Sequence, residues 1–251
     1  MVDVEAFVRK QIAVYRADQV RADRALRARR GTERKLSFGP YLLISREKGA
    51  GGSAAGRLAG ARLGWQVFDH EIVDAIAQQA HVRRELIASL DERDRQTLDE
   101  IVQGFLFPQG IDSTGYVTRL REIVLTLGHQ GNVVIVGRGA QYLLPTQFGL
   151  RLRMVAPTEV RIRRIAAESQ LSLDAARVAV ENSDRERARV TRRSYGQDVH
   201  DPLNYDLTIN TAELTVIMAA NMIVAAVCQK LAVSARDCGH HSIDRLTRVP
   251  R

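Results

Sequence analysis

The chain has 251 residues, of which 45% are hydrophobic, so it can bury one substantial core, as a single α/β domain does. Its net charge is +8, and its two cysteines, Cys228 and Cys238, are too few for a disulfide framework and lack the spacing of metal ligands. No apolar signal-peptide core is visible, and the longest apolar run, residues 216–228, is too short to cross a bilayer. We therefore expect reduced cysteines, a cytoplasmic location and no membrane partner.

The first 37 residues predict a basic helical extension that ends at Gly31. Residues 1–35 hold ten basic and five acidic residues, which is most of the net charge. Such a patch attracts nucleic acid or anionic lipid. Alternatively, the helix packs on the body of the protein or on a second subunit through a narrow apolar stripe, formed by Val4, Val8, Ile12 and Tyr15. The lack of interleaved aromatic residues favours packing and leaves nucleic-acid binding as the alternative.

A glycine-rich loop follows the first predicted strand. The apolar run that ends at Ser45 passes into this loop, and a helical pattern then covers residues 54–63. Such a loop cradles phosphate with backbone N–H groups and the helix N-terminus, and here the candidate residues are Gly49, Ala50, Gly51, Gly52 and Ser53. Against the pattern G-x-x-x-x-G-K-[ST], Arg46 replaces the first glycine and Gly52 replaces the lysine. An ordinary strand-to-helix turn is the alternative interpretation.

The rest of the chain alternates strands with helices. The four further predicted strands comprise residues 65–68, 133–136, 150–155 and 205–210. Helices are predicted over residues 71–105 with breaks near 81 and 89, and then over 116–129, from Pro157 onward, 173–194 and 213–231. The alternating strand 150–155 is expected nearer the sheet edge, where its arginines reach solvent. Residues 234–251 are expected to form a polar tail. This order predicts a parallel, doubly wound sheet that binds ligands at the carboxyl ends of its strands.

Two charged residues stand at those predicted ends. Asp69 follows the second strand, and it is either a helix N-cap or a group that holds metal-bound water or an acceptor hydroxyl. Arg138 lies between two glycines after the third strand, where its guanidinium is suited to grip phosphate. Ser53 in the glycine loop is placed to offer its hydroxyl to Mg²⁺.

The segment around residues 181–189 is a candidate lid. Arg185 and Arg189 lie there on one helical stripe with Arg192, and closure of a lid would carry arginines over a transferring phosphate. A solvated helix with an i,i+4 pair between Glu181 and Arg185 is the alternative.

Five ordered blocks between residues 38 and 233 resemble the cytidylate-kinase-like proteins of bacteria, relatives of the nucleoside monophosphate kinases among the P-loop kinases. The blocks are Ile44-Ser45-Arg46-Glu47-x-Gly49-x-Gly51-Gly52, Phe68-Asp69-x-Glu71-Ile72, Val134-Ile135-Val136-Gly137-Arg138-Gly139-Ala140, Asp184-x-x-Arg187-Ala188-Arg189, and Asp201-Pro202-x-Asn204-Tyr205-Asp206-Leu207-x-Ile209-Asn210-Thr211. The resemblance implies an α/β fold of the P-loop kinase type, with about five parallel strands and a helical lid. It also implies ATP with Mg²⁺ as donor and a nucleotide or similar acceptor.

The chain departs from the pattern of authentic cytidylate kinases at four positions. Gly52 stands at the lysine, Gly139 at the aspartate that helps to read cytosine, Val180 at the first lid arginine, and Ala75 at an arginine six positions beyond Asp69. The candidates for catalytic charge are Arg46, Lys48, Arg138, Arg185, Arg187 and Arg189, and those for substrate binding are Asp69, Arg138 and Asp184.

These observations predict an ATP-dependent kinase for a nucleoside monophosphate or a similar small acceptor. A nucleotide-binding regulatory module without turnover is the alternative, favoured by the missing lysine, and a nucleic-acid-associated protein is the third hypothesis. A homodimer through the N-terminal helix stays open. We divide the chain into the extension 1–37, a kinase-like domain 38–233 and a tail 234–251.

Overall fold

The computed structural model describes residues 3–27, 38–104 and 115–231. These residues form five strands, β1 Tyr41–Arg46, β2 Gln66–Phe68, β3 Val133–Val136, β4 Gly149–Val155 and β5 Leu207–Asn210. Their helices are α1 Val4–Arg27, α2 Gly52–Leu63, α3 His70–Gln78, α4 Ala80–Ala88, α5 Glu92–Gly104, α6 Tyr116–Gln130, α7 Thr158–Ser169, α8 Leu173–Tyr195 and α9 Val216–Leu231. The predicted end of the first helix at Gly31 and the tail 234–251 lie outside the described residues.

The strands form one parallel sheet in the order β2-β3-β1-β4-β5. Strand β1 is central, and its alternate residues enter two different cores. Tyr41 and Leu43 pack with α3 and α6, whereas Leu42 and Ile44 pack with α2 and α9. Helices therefore cover both faces, which confirms the predicted doubly wound α/β fold with five parallel strands.

The N-terminal helix α1 shares a core with the body of the protein. Val4, Val8, Ile12 and Tyr15 are all buried, and they pack in the same cluster as Phe68 of β2. This burial supports packing on the body over an exposed nucleic-acid surface. The proposed boundaries at residues 37 and 233 stay predictions.

Strand β4 lies next to the sheet edge, as expected, but its arginines are less exposed than expected. It pairs with β1 and with the edge strand β5. Each arginine pairs with a carboxylate, and Arg153 is buried whereas Arg151 is half-buried. Arg153 is 3.3 Å from Glu47 with its side chain 6% exposed, and Arg151 is 3.0 Å from Asp206. Polar alternation here indicates one buried and one half-buried ion pair in a strand next to the sheet edge.

Two expectations drawn from composition have different outcomes. Within the described segments, no helix is both long and apolar enough to cross a membrane. Cys228 on α9 is disulfide-bonded, so the expectation that it is reduced is wrong.

Candidate functional site

The glycine loop joins the end of β1 to the first residue of α2. Gly49 and Gly51 have φ angles of 81° and 76°, a left-handed region in which glycine avoids the strain of a side chain. Gly51 is the N-cap residue of α2, and Ser53 lies in the first turn of that helix. The strand, loop and helix thus form the kind of unit that binds anions at a helix N-terminus.

The carbonyl oxygens of this loop are held from outside. Arg161 donates to the carbonyl of Lys48 at 3.4 Å, Arg164 donates to that of Gly49 at 3.4 Å, and the Thr211 hydroxyl donates to that of Ala50 at 3.0 Å. In a trans peptide the N–H points opposite to the carbonyl, so the amides of Gly49 and Gly51 point away from α7 and β5. The amide of Ala50 instead donates to the carbonyl of Glu47 at 3.2 Å. Amides such as that of Gly49 are therefore directed toward the side where an anion would lie.

Buried charges hold the loop in place. Glu47 is 3.3 Å from Arg153 of β4 and 3.3 Å from Arg161 of α7. Arg161 also reaches Asp184 of α8 at 2.8 Å. Because every charged side chain in this series of ion pairs has a partner of opposite charge, its burial is tolerated. The ion pairs join the loop to β4, α7 and α8.

Three arginines lie together beside the loop. The pKa of Arg46 is lowered to about 10, first by burial and then by the neighbouring charges of Arg187 and Arg138, with Asp69 opposing. Burial also lowers the pKa of Arg187, while Asp184 raises it. Nη2 of Arg46 is 3.2 Å from Nδ1 of His70. Like charges gathered in a half-buried position disfavour one another, so such a cluster favours a polyanion between them.

Arg138 is presented by an unusual backbone. Its φ is 57°, and its glycine neighbours 137 and 139 have φ angles of 90° and 66°. A left-handed arginine is uncommon and is a reason to look for function. Its guanidinium forms a salt bridge with Asp74 of α3, and its carbonyl accepts a hydrogen bond from the Tyr195 hydroxyl at 3.0 Å.

Asp69 caps α3. Its Oδ1 accepts hydrogen bonds from the amides of Glu71 and Ile72, both at 3.2 Å, and its Oδ2 is 3.6 Å from Arg57. The N-cap interpretation therefore accounts for one oxygen, and an additional role in substrate binding stays a prediction.

The other predicted site residues are spread along α8 and the loop. Arg187 donates to the backbone carbonyl of Arg46, and Asp184 holds Arg161. Arg185 instead bonds to Asn182 at 2.8 Å, on its own helix, and Arg189 is exposed. Lys48 is half-buried. The structure brings Arg46, Arg138 and Arg187 together and leaves Arg185 outside this group.

Sequence reasoning missed several partners that position the site, namely Glu47, His70, Asp74, Arg153, Arg161 and Arg164. The arginines of β4, alternating in an otherwise apolar strand, were the one visible signal. The remaining partners come from different elements, so local sequence spacing does not reveal them.

The oxygen donors near the loop suit a cation that keeps its water and phosphate ligands. No group of three or more His, Cys, Asp or Glu side chains with the geometry of a metal site occurs among the described residues. Mg²⁺ is commonly held by one or two protein oxygens plus substrate phosphates. The hydroxyl of Ser53 in the first turn of α2 fits that need, and its role as a ligand stays a prediction from the glycine-loop pattern.

Comparison with known proteins agrees with this geometry. A model of the cytidylate kinase-like family matches residues 42–213. A cytidylate kinase from Sulfolobus acidocaldarius is 30% identical over 109 residues, covering 43% of this chain and 60% of that protein. One from Pyrococcus horikoshii is 32% identical over 84 residues, covering 34% and 43%. The chain thus spans 60% or less of the length of these two relatives.

Among solved structures, that of an uncharacterized protein from Eubacterium ventriosum is similar with a TM-score of 0.59 and 19% identity. The match covers 75% of this chain and 98% of the other. At this identity the similarity shows a shared fold.

Proposed function

The chain belongs to the cytidylate kinase-like family, and from this premise we propose that it transfers a phosphoryl group from ATP to a nucleoside monophosphate or a similar small acceptor. The observation that carries the proposal is the convergence of Arg46, Arg138 and Arg187 beside the glycine loop. Phosphoryl transfer requires little more from a protein than positioning and neutralisation of charge. A phosphate cradle beside a cluster of cations supplies both.

Each part of the site has a role in this reaction. Backbone amides from Gly49 to Ser53, apart from that of Ala50, which donates to Glu47, hold the donor phosphates. Arg138 holds the acceptor, and Arg187 approaches the transferring group from α8. An acceptor oxygen bonds to the γ-phosphorus while the bond from phosphorus to the β–γ bridging oxygen breaks, and ADP leaves with that electron pair. An acceptor phosphate is largely ionised at neutral pH, so its attacking oxygen has no proton to lose.

Mg²⁺ is the metal that the family resemblance implies, and Ser53 is the residue that would hold it. When bound, Mg²⁺ neutralises charge on the donor phosphates. Asp69 is the second candidate on this side of the site, through the oxygen that does not bond to the α3 amides.

The acceptor need not be a cytidine nucleotide. At position 139, where authentic cytidylate kinases carry an aspartate, a Cβ would lie 2.3 Å from the ring of Tyr195. That ring fills the space, so the usual contact to cytosine is not available in this arrangement. We therefore propose an acceptor that bears a phosphate and whose remaining part is recognised by contacts other than the aspartate that reads cytosine in cytidylate kinases.

The alternative from another class is a nucleotide-binding module without turnover, which Gly52 in place of the lysine favours. The nucleic-acid hypothesis is weaker, because the apolar stripe of α1 is buried in the body of the same chain. We keep a cytoplasmic location and a homodimer as proposals.

Two measurements distinguish these functions. ATP consumption is followed with a panel of nucleoside monophosphates and of small phosphate-free acceptors, and ATP affinity is measured in parallel by calorimetry. Turnover with one acceptor class supports the kinase. ATP binding without turnover for any acceptor supports the module, and no ATP binding at all contradicts both.

A further inference from the structure

Position 52, which holds the lysine in the standard phosphate-binding pattern, has no room for a side chain. A Cβ built on Gly52 would lie 2.5 Å from Cβ and 2.9 Å from Cγ of Arg46. Carbon atoms in packed interiors do not approach so closely without displacing one another. A side chain at position 52 and the side chain of Arg46 therefore exclude each other.

The two departures from the pattern are thus reciprocal. Arg46 stands where the pattern has its first glycine, and Gly52 stands where it has its lysine. The stem of Arg46, at the end of β1, occupies the space over the first residue of α2. The chain therefore has a cation on the strand where the standard pattern has one on the helix.

The guanidinium of Arg46 extends from the glycine loop toward the loop that carries Arg138. A Cβ at Gly137 would lie 2.6 Å from Nη1 of Arg46, so the guanidinium covers the carboxyl end of β3. Its Nη2 contacts His70 at 3.2 Å. The stem therefore starts beside the N-terminus of α2 and the charge ends beside the loop of Arg138, between the donor and acceptor sides of the site.

We infer that Arg46 takes the place of the missing lysine and neutralises the donor phosphates during transfer, an inference that rests on the proposed function. Arg46 forms no salt bridge with any carboxylate in the described part of the chain, so its charge is available to a ligand. A planar guanidinium also offers two parallel hydrogen bonds to a phosphate, which a lysine ammonium does not.

The other candidates fit this role less well. Arg185 is bonded to Asn182 and to the carbonyl of Glu181 on its own helix. Arg189 is exposed, and Lys48 lies in the loop without a side-chain hydrogen bond to any described residue. Arg46 alone among them is both half-buried and in direct contact with the elements that frame the site.

The steric relationship is tested by stability, without any assay of activity. Gly52→Ala should lower Tm by about 4 °C or more in the full chain, the shift expected of a substantial local clash. In the Arg46→Gly background the same substitution should cost much less, because the space is then open. Equal shifts in both backgrounds would show that the two positions are independent and would overturn the reciprocal relationship.

The proposed role of the Arg46 charge in neutralising the donor phosphates is tested by kinetics, with variants that keep the packing of the side chain. Arg46→Met retains a long stem without its charge, and it should lower kcat by about 10²–10³-fold, the usual effect of losing a transition-state donor. Arg46→Lys should retain more activity. Arg46→Gly with Gly52→Lys restores the standard pattern, and it should exceed Arg46→Gly alone by about tenfold or more. Arg62→Ala, at a half-buried arginine near the end of α2 that bonds to Asn221 of α9, is the control and should have the kcat of the parent.

The outcomes separate this inference from the proposed function. A folded Arg46→Met protein with kcat near that of the parent overturns the inference and leaves the kinase intact. If the parent binds ATP without turnover, ATP affinity becomes the test. A loss of about tenfold or more in Arg46→Met supports the inference, and an unchanged affinity overturns it. A parent that does not bind ATP overturns both the function and the inference.

Discussion

The guanidinium of Arg187 donates a hydrogen bond to the backbone carbonyl of Arg46, which attaches α8 to the end of β1. Asp184, three residues earlier on the same helix, is 2.8 Å from Arg161. Residues three apart share one face of a helix. Helix α8 therefore directs this face at the glycine loop, while the neighbouring Arg185 bonds to Asn182 at 2.8 Å.

This asymmetry predicts a difference between two arginines that lie two positions apart. Arg187→Ala should lower kcat by about 10²–10³-fold, with ATP affinity close to that of the parent, because its contact to the transferring group forms late. Arg185→Ala is the matched control and should stay within about twofold of the parent. Steady-state kinetics with the preferred acceptor gives both values. Similar losses in the two variants would mean that α8 closes with a different face.

The glycine loop yields a second pair of variants. Gly49 and Gly64 have similar φ angles, 81° and 70°. A Cβ at Gly49 would lie 2.8 Å from the carbonyl oxygen of Arg161, whereas a Cβ at Gly64 has no atom within 4 Å. Gly64→Ala should therefore cost only backbone strain, about 1 kcal/mol of unfolding free energy. Gly49→Ala should cost about 1–3 kcal/mol more, because it adds a steric clash.

Denaturant unfolding followed by circular dichroism measures this difference. Gly49→Ala should also weaken ATP binding, because the displaced Arg161 carries Asp184 and Glu47 with it. Equal costs at the two glycines would show that α7 moves aside freely and that the loop is less rigidly held than its contacts indicate.

The sequence predicted the arrangement of the sheet better than the details of the site. Strand runs such as residues 133–136 are apolar throughout because both faces are buried, and this pattern is visible without a structure. The partners of Glu47 are not visible in this way, because Arg153 lies 106 residues away. The selection of Arg187 over Arg185 depends on the rotation of α8, which follows from packing against α7 and cannot be determined from sequence spacing alone.

Protonation of His70 at acidic pH should lower the free energy of unfolding. Burial lowers the pKa of His70 below its ordinary value of 6.5, the charges of Arg46 and Arg138 lower it further, and Asp69 and Glu71 oppose this. The unfolded chain then binds more protons than the folded one, so this contribution is fully present above pH 6.5. It is lost as the pH falls through 6.5 toward the folded pKa.

The pH profile of unfolding free energy tests this. His70→Gln should flatten the decline of stability between about pH 7 and pH 5, since it removes the titrating group. His200→Gln, at an exposed histidine, is the control and should follow the parent. Parallel profiles for the parent and His70→Gln would show that another group carries the acid sensitivity.

Helix α1 allows the packing and nucleic-acid hypotheses to be compared. Val8 is 0% exposed and Val14 is 38% exposed on the same helix. Val8→Asp should destabilise the fold by about 3 kcal/mol or more, since it buries an unpaired charge, whereas Val14→Asp should be close to neutral. Nucleic-acid binding should be negligible in all three proteins. Tight binding by the parent that weakens steeply with salt would instead support the nucleic-acid hypothesis.

We expect Arg138 to bind the phosphate of the acceptor. Because its φ of 57° would strain alanine as much as arginine, Arg138→Ala removes the guanidinium without changing the backbone strain. The acceptor KM should rise about 10–100-fold while ATP affinity stays near that of the parent, since one charged contact to phosphate is lost. Arg151→Ala is the control, because Arg151 has a comparable ion pair with Asp206 but lies in the middle of β4. Both variants lose one salt bridge, so a KM effect confined to Arg138→Ala assigns that residue to the acceptor. An equal effect in the two variants would instead indicate a general loss of structure, and a rise in the ATP Kd would place Arg138 on the donor side.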